Sequence, residues 1–218
     1  MDPMDSISDL SHIKVRASGF YNCICKRFLD ICISLVALCI LFLPLLLLAL
    51  IIRLDSKGPA LFSQIRIGYR CKPFRLYKLR TMVACVGGHD PDHIEGQTDR
   101  PFVQRKEDER VTRVGKVLRK LSVDELPQLI NVLKGDMSLI GPRPFIPAES
   151  EALGEESYYR YKVRPGITGY AQVSGRSDIG SSERLEKDFA YVNNVSFWMD
   201  VKIFFQTIKV IFTGKGAY

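Results

Sequence analysis

The sequence has 218 residues, and its 31 lysines and arginines against 24 aspartates and glutamates give a net charge of +7. This length is that of one ordinary domain with a small addition. The whole charge excess lies in residues 53–82, which carry eight basic side chains and one acidic side chain. Such a local excess excludes a diffusely polycationic protein, such as a histone-like packing factor, and indicates a local anionic partner. Nucleic acid is the least supported partner.

An uncharged segment, Ile31–Ile52, directly precedes this basic stretch. As a helix it would extend about 33 Å, enough to cross the hydrocarbon core of a bilayer. Pro44 interrupts the segment and predicts a bend. Basic residues flank both ends about equally, so charge selects no orientation for a spanning helix. A spanning helix and a re-entrant helix, which enters and leaves by the same face, both fit these residues.

The remaining elements are predicted from short-range patterns in chain order. Alternating stretches around Gly68 and Pro73 predict a β-hairpin over Leu61–Met82, and the polar composition of Ala84–Pro101 predicts a mobile loop. Helices are predicted at Val114–Leu121, Ser122–Leu133, Glu183–Val192 and Phe197–Phe212, a rigid break at Gly141–Pro144, and a glycine-rich segment without helical period at Arg164–Arg176.

The last predicted helix, Phe197–Phe212, is amphipathic, with aromatic and aliphatic side chains at three- and four-residue steps. This pattern is typical both of a core helix and of a helix lying in a membrane interface. The apolar segment upstream favours the interfacial alternative.

Two adjacent carboxylates, Asp124 and Glu125, are the candidate chemical centre. In one interpretation Ser122 and Glu125 form a capping box, and the acids only start a helix. In the other, the arginines and lysines that surround the pair in the sequence make it part of a phosphoryl-transfer site. A carboxylate can attack phosphorus, and a neighbouring carboxylate can hold Mg²⁺.

A series of motifs extends from about Lys26 to the C-terminus. They are Lys26-Arg-Phe-Leu-Asp30, Leu54-Asp-Ser-Lys-Gly-Pro59, Tyr77-Lys-Leu-Arg-Thr-Met82, Arg113-Val-Gly-Lys116, Asp124-Glu-Leu-Pro-Gln-Leu129, Lys134-Gly-Asp-Met-Ser-Leu-Ile-Gly-Pro-Arg-Pro144, Arg164-Pro-Gly-Ile-Thr-Gly169 and Gln172-Val-Ser-Gly-Arg176. In this order they resemble the bacterial sugar transferase family, the monotopic phosphoglycosyl transferases that begin lipid-linked glycan assembly.

The resemblance implies transfer of a hexose-1-phosphate from a UDP-sugar to undecaprenyl phosphate with release of UMP, as in exopolysaccharide synthesis. It implies that Asp124 is the nucleophile, which forms a phospho-sugar intermediate, and that Glu125 helps to bind Mg²⁺. It also implies substrate-binding roles at six further positions: Lys78, Arg80, Arg119, Arg143, Gln172 and Arg176.

The resemblance further implies a re-entrant membrane helix broken at a proline, on the cytoplasmic face of the bacterial inner membrane. Family members usually have Ser-Pro at this break, whereas this chain has Leu43-Pro44. A serine hydroxyl can bond a carbonyl that the proline leaves free, and leucine cannot. We therefore expect the bend to be less fixed here.

The expected fold is α+β and mostly helical, with a small β-hairpin and interfacial amphipathic helices. We expect an N-terminal tail at residues 1–25, the re-entrant helix at 26–54 and a compact cytosolic catalytic domain at 55–218. Anionic lipids are expected partners, and an oligomer is compatible with the sequence. The alternative is a non-enzymatic membrane-anchored adaptor, which would bind anionic lipid through Arg53–Met82.

Overall fold

The computed structural model describes residues 19–83, 110–175 and 179–213, and its first long element is an apolar helix. A π-helical turn, Tyr21–Cys25, leads into helix α1, Lys26–Asp55. The helix continues through Pro44, where the sequence predicts a bend, because a proline removes only one backbone hydrogen bond from the ladder. Among the described residues, Tyr21–Asp55 is the one helical stretch long and apolar enough to cross a membrane.

Both ends of α1 pack against the rest of the described chain, while its middle faces outward. Lys26, Asp30 and Ser34 are buried near the start of the helix. Near its end, Ile52 packs with Leu79 and Leu118 in a small apolar cluster. Between these anchors the apolar side chains are largely exposed, as at Ile40, Phe42 and Leu43. The helix is therefore held at its two ends.

The predicted hairpin is confirmed as strands β1, Leu61–Ile67, and β2, Pro73–Leu79. The strands are antiparallel, with Leu61 opposite Leu79 and Ile67 opposite Pro73. A short 3-10 turn, Tyr69–Cys71, connects them. Asn131 fixes the hairpin to the segment after the acid pair, because its amide nitrogen donates to Arg75 O (2.7 Å) and its amide oxygen accepts from Tyr77 N (3.1 Å).

Seven helices and two further 3-10 turns make up most of the described chain. After α1 they are α2, Arg113–Lys120; the 3-10 turn Val123–Glu125; α3, Gln128–Lys134; α4, Pro147–Leu153; the 3-10 turn Glu155–Lys162; α5, Tyr170–Ser174; α6, Ser181–Asn194; and α7, Phe197–Thr213. The predicted helices at Val114–Leu121, Glu183–Val192 and Phe197–Phe212 are confirmed within a few residues.

Two predicted elements are wrong in detail. Ser122–Leu133 does not form one helix, because Ser122 adopts a left-handed conformation (φ 55°) and Pro127 separates the 3-10 turn from α3. The segment predicted to have no helical period, Arg164–Arg176, contains the short helix α5 as well as a strand. That strand, β4, Gly166–Thr168, pairs in parallel with β3, Ser138–Ile140.

Three glycines allow the segments around β3 and β4 to pack backbone against backbone. A Cβ atom added to Gly141 would lie 2.4 Å from Arg164 O. One added to Gly166 would lie 2.1 Å from Gly141 N, and one added to Gly169 would lie 2.1 Å from Gly141 O. No side chain fits at such distances. This contact holds Pro142–Pro144 against the start of β4.

The C-terminal helix α7 is joined to the start of α1 by a buried polar network. Asp200 accepts hydrogen bonds from Tyr21 (2.8 Å), Lys26 (2.6 Å) and Tyr191 (2.7 Å). Ile203 on the same helix is fully buried in the main apolar core. The other face of α7 is exposed, and its large side chains are Trp198, Phe204, Phe205 and Phe212.

The described chain is thus mostly helical with two small sheets, which confirms the α+β prediction at that level. The predicted loop at Ala84–Pro101 and nearly all of the predicted tail at residues 1–25 lie outside the described residues, apart from residues 19–25.

Candidate functional site

The acid pair lies in the 3-10 turn Val123–Glu125, between α2 and α3. Asp124 is buried, with 8% of its surface exposed, and Glu125 is half-buried. Ser122 makes no side-chain capping bond. The capping-box interpretation of Ser122 and Glu125 is therefore wrong, and a different cause must account for the two buried acids.

Helix α2 is fixed against the end of β2, which places Arg119 beside the acid pair. Thr112 caps the helix by accepting a hydrogen bond from Gly115 N (2.9 Å). Gly115 lets α2 approach closely, since a Cβ there would lie 2.1 Å from Thr81 O. Arg119 then donates to the Thr81 hydroxyl (2.9 Å), and its charge partly opposes the rise in pKa that burial causes at Asp124.

Glu125 is held by two cations that come from different segments. Lys78 of β2 lies 3.1 Å from Glu125 Oε1, and Arg143 lies 3.3 Å from the same oxygen. Among the described residues, none bonds the second oxygen, Oε2. The cluster of Lys78, Glu125 and Arg143 thus joins the hairpin, the acid pair and the Gly141–Pro144 segment.

The two carboxyl groups differ in acidity. Burial raises the pKa of Asp124 from 3.8 to about 6, and the neighbouring Glu125 adds to this, although Lys78 and Arg119 oppose it. Burial also acts to raise the pKa of Glu125, but Lys78 and Arg143 outweigh it and hold that pKa below its ordinary value. At neutral pH Glu125 is an ion-paired carboxylate, and Asp124 is a carboxylate of raised basicity.

A small cleft opens beside this cluster, and four of the predicted site residues line it: Lys78, Glu125, Arg143 and Gln172. Arg66 and Gln128 also line it, although the sequence did not single them out. Arg66 can be recognised as a candidate from the sequence, because it is a polar residue at an inward-facing position of a predicted strand. Gln128 lies four residues after Asp124, within the same motif.

Arg80, another predicted substrate-binding residue, lies at the end of α1. Its guanidinium donates to the carbonyls of Ile52 (3.0 Å), Ser56 (2.6 Å) and Lys57 (2.9 Å) at the end of α1. In the structure this side chain caps the helix, because the last carbonyls of a helix lack partners within it, and its substrate contact stays a prediction. Arg176 lies outside the described residues.

The donor set near Glu125 suits a hard divalent cation only in part. Within residues 19–83, 110–175 and 179–213, no three His, Cys, Asp or Glu side chains form a cluster able to hold a metal. Mg²⁺ needs few protein ligands, however, since it keeps several waters and binds substrate phosphates. The unbonded Glu125 Oε2 is a ligand of the right chemistry, and Asp124 is its neighbour in the chain.

Comparison with known proteins gives a family and several relatives. The family model described as bacterial sugar transferase matches residues 21–214. A UDP-glucose:undecaprenyl-phosphate glucose-1-phosphate transferase of Caulobacter vibrioides is 46% identical over 202 residues, which cover 88% of this chain and 72% of that protein.

Two further relatives show the same likeness. A UDP-N-acetylgalactosamine-undecaprenyl-phosphate N-acetylgalactosaminephosphotransferase of Aeromonas hydrophila is 46% identical over 199 residues, covering 88% of this chain but 44% of that protein. An uncharacterized sugar transferase of Bacillus subtilis is 39% identical over 196 residues, covering 88% of this chain and 90% of that protein. The chain therefore belongs to the bacterial sugar transferase family.

Proposed function

We propose that this protein transfers a hexose-1-phosphate from a UDP-sugar to undecaprenyl phosphate and releases UMP. The observation that carries the proposal is a buried Asp124 of raised pKa beside the Lys78–Glu125–Arg143 cluster. Relatives from Caulobacter and Aeromonas are named for this reaction class with glucose and N-acetylgalactosamine respectively. Because these sugars differ, the proposal specifies a hexose and leaves its identity to experiment.

In the proposed mechanism Asp124 is the nucleophile. Its carboxylate attacks the phosphorus that carries the sugar, the bond from that phosphorus to the bridging oxygen breaks, and UMP leaves with the electron pair. The phosphate of undecaprenyl phosphate then attacks the same phosphorus and releases the Asp124 carboxylate. Burial supports this role, because a desolvated carboxylate of raised pKa is a stronger base and nucleophile than an exposed one.

The basic side chains of the cleft would neutralise the phosphates. Arg143 and Lys78 both line the cleft, and Arg119 lies close enough to Asp124 to influence its pKa. Cations positioned in this way stabilise charge that is spread over phosphoryl oxygens. Glu125 would hold Mg²⁺ through Oε2, and the metal would supply further charge neutralisation on the diphosphate.

We propose that α1 is re-entrant and that the catalytic part lies on the cytoplasmic face of the inner membrane. Near the start of α1, Lys26 bonds Asp200 of α7 and Asp30 accepts a hydrogen bond from a backbone N–H of β3. Near its end, Ile52 packs against Leu79 of β2 and Leu118 of α2. Both ends are therefore buried against elements that follow α1 in the chain. A helix crossing the bilayer would place its ends on opposite sides of about 30 Å of hydrocarbon, where one folded unit cannot contact both. The exposed apolar middle of α1 is the part available to lipid.

The exposed face of α7 suits a membrane surface. Trp198 is 77% exposed and Phe212 is 86% exposed, and both lie on the helix that Lys26 and Tyr21 join to α1. Aromatic side chains favour the boundary between headgroups and acyl chains. An enzyme with a lipid acceptor and a water-soluble donor has to work at this boundary.

The proposal is tested by incubating membranes that contain the protein with a radiolabelled UDP-sugar and undecaprenyl phosphate. Label should move into the lipid fraction with equimolar UMP release for at least one sugar of a panel. Glu186→Gln, at an exposed position on α6, is a suitable control that should transfer like the wild type. If no sugar of the panel labels lipid, the adaptor function through Arg53–Met82 is favoured instead.

A further inference from the structure

Gln128 is a buried polar side chain that faces the cleft. It lies at the start of α3, and only 3% of its surface is exposed. It lines the cleft beside Glu125. Its amide makes no hydrogen bond or ion pair with any residue in the described part of the chain. The Gln128 amide is not among the fully enclosed polar groups of the described chain, so its nitrogen and oxygen are accessible at the cleft. An amide that lines a cleft without a protein partner can donate to a ligand and accept from it.

Gln172 presents a second such amide to the same cleft. Its Nε2 donates to Ile167 O (3.0 Å), which fixes the orientation of the amide because a carbonyl oxygen can only accept. The other atom, Oε1, is buried and has no hydrogen-bond partner among the described residues. Gln172 therefore has one unpaired acceptor, in a defined position, in the wall of the cleft.

The lining of the cleft contains both charged and uncharged residues. The charged ones are Arg66, Lys78, Glu125 and Arg143. Gln128 and Gln172 belong to an uncharged part, whose other members are Leu76, Pro144, Gly166 and Ile167. Phosphates are matched by the cations, whereas an amide adds no charge and instead pairs with neutral groups that donate and accept hydrogen bonds.

We infer that Gln128 and Gln172 form a neutral subsite that hydrogen-bonds an uncharged donor-and-acceptor group of the sugar nucleotide, either sugar hydroxyls or the uracil ring. This inference rests on the proposed function. The subsite determines specificity, because a site with buried polar groups strongly rejects an analogue that leaves them unpaired. The cations bind every nucleoside diphosphate sugar alike and cannot discriminate in this way.

The test compares wild type with Gln128→Met and Gln172→Met, which keep the side-chain volume and remove the amide. Gln206→Met is the matched control, since Gln206 also has a buried amide oxygen without a partner but lies on α7 and does not line the cleft. Transfer rates are measured with UDP-sugars that differ at one hydroxyl, and with one sugar carried by UDP or by nucleoside diphosphates of other bases.

We expect each cleft variant to raise KM for the preferred donor at least tenfold and to leave KM for undecaprenyl phosphate within twofold of wild type. If the sugar is the ligand, discrimination between epimers falls; if uracil is the ligand, discrimination between bases falls.

Unchanged donor KM and unchanged discrimination would overturn the subsite. A wild type that transfers from no donor would instead overturn the proposed function. If a methionine variant folds poorly, Gln128→Asn or Gln172→Asn is tested in its place. We expect the same rise in KM for the donor.

Discussion

Asp124 and Glu125 are neighbours in the chain, yet burial and the surrounding cations give their carboxyl groups different acidities. Glu125 contacts two cations directly, while Asp124 is buried without an ion pair of its own in the described chain. In the folded state a proton therefore binds Asp124 more tightly than it binds an unfolded aspartate. Folding stability is then lost as the pH rises from 3.8 through about 6.

Asp124→Asn removes the cost of burying an ionised carboxylate at this position. We expect the variant to lose transfer activity and to have a larger free energy of unfolding than wild type at pH 7.5. The difference should be at most about 3 kcal/mol, the equivalent of a pKa that moves from 3.8 to about 6, and it should vanish near pH 3.5. Denaturant unfolding at the two pH values measures it. Near-normal turnover would contradict the nucleophile assignment, and equal stability at both pH values would contradict the raised pKa.

The same pKa predicts the pH dependence of activity. The nucleophile must be ionised, so kcat/KM of wild type should rise with pH and level off above an apparent pKa of about 6 in the free enzyme. Steady-state rates at subsaturating donor between pH 4.5 and 8 give this value. A profile that is flat across this range would exclude Asp124 as the group that titrates.

Glu125 is predicted to act through the metal and through its two ion pairs. Glu125→Gln keeps the shape of the side chain, removes its charge and weakens the contacts with Lys78 and Arg143. We expect the Mg²⁺ concentration at half-maximal rate to rise at least tenfold, or activity to disappear. Titration of the transfer rate with Mg²⁺ checks this, and an unchanged metal requirement would count against the role.

At the scale of elements, a buried ion pair supports the segment that carries Arg143. Arg160, in the 3-10 turn Glu155–Lys162, lies 2.7 Å from Asp188 of α6, and both side chains are almost completely buried. The same guanidinium donates to Arg143 O (2.5 Å) and lies 3.4 Å from the centre of the Phe145 ring. Helix α6 thus contributes to the site through a chain of contacts, without lining the cleft.

Asp188→Asn should therefore destabilise the fold at neutral pH, because it leaves the Arg160 charge buried without its counterion. Burial raises the pKa of Asp188, so relief of that burial cost offsets part of the loss. We expect a loss of at most about 3–5 kcal/mol, the usual cost when one partner of a buried pair is removed. Glu183→Gln is the matched control, since it removes an exposed i,i+4 pair with Lys187 on the same helix and should cost about 0.5 kcal/mol or less. Chemical denaturation of the three proteins in detergent compares them. Equal losses for the two variants would contradict the role of the buried pair.

At the scale of the whole molecule, both ends of the apolar helix α1 contact segments that carry the site. Arg27, near its start, donates to Val132 O (2.6 Å) and Leu133 O (3.0 Å) at the end of α3. At its other end Arg80 caps α1 from a position two residues beyond Lys78. The acid pair and its lysine partner are therefore both next to segments that the membrane helix holds.

The re-entrant topology that we propose for α1 predicts that both flanks of this helix are accessible from the same side of the membrane. Single cysteines at exposed Cys23 and at Lys57→Cys should react with an impermeant maleimide in inverted membrane vesicles and not in intact cells. A single cysteine at exposed Leu43, in the middle of the helix, should stay unreactive in both preparations because lipid covers it. Labelling of positions 23 and 57 from opposite sides would exclude the re-entrant model.

The sequence by itself determined the features that depend on local pattern. The hairpin, α2, α6 and α7 follow from short-range periodicity, and the long apolar helix follows from an uncharged run of sufficient length. The acid pair was recognisable because its two residues are adjacent. The pattern of Ser122–Leu133 predicts one helix, which is wrong because the left-handed conformation of Ser122 depends on how α2 meets the next segment.

Only the tertiary structure decided what each residue of the basic stretch 53–82 does. Lys78 pairs with Glu125, Arg80 caps α1, and Arg66 is buried beside Glu149, so these three charges are used inside the protein. The remaining basic residues are exposed and available to anionic lipid: Arg53, Lys57, Arg70, Lys72 and Arg75. Net charge is a property of composition, but the partner of each charge depends on contacts between residues far apart in the chain, which no local pattern records.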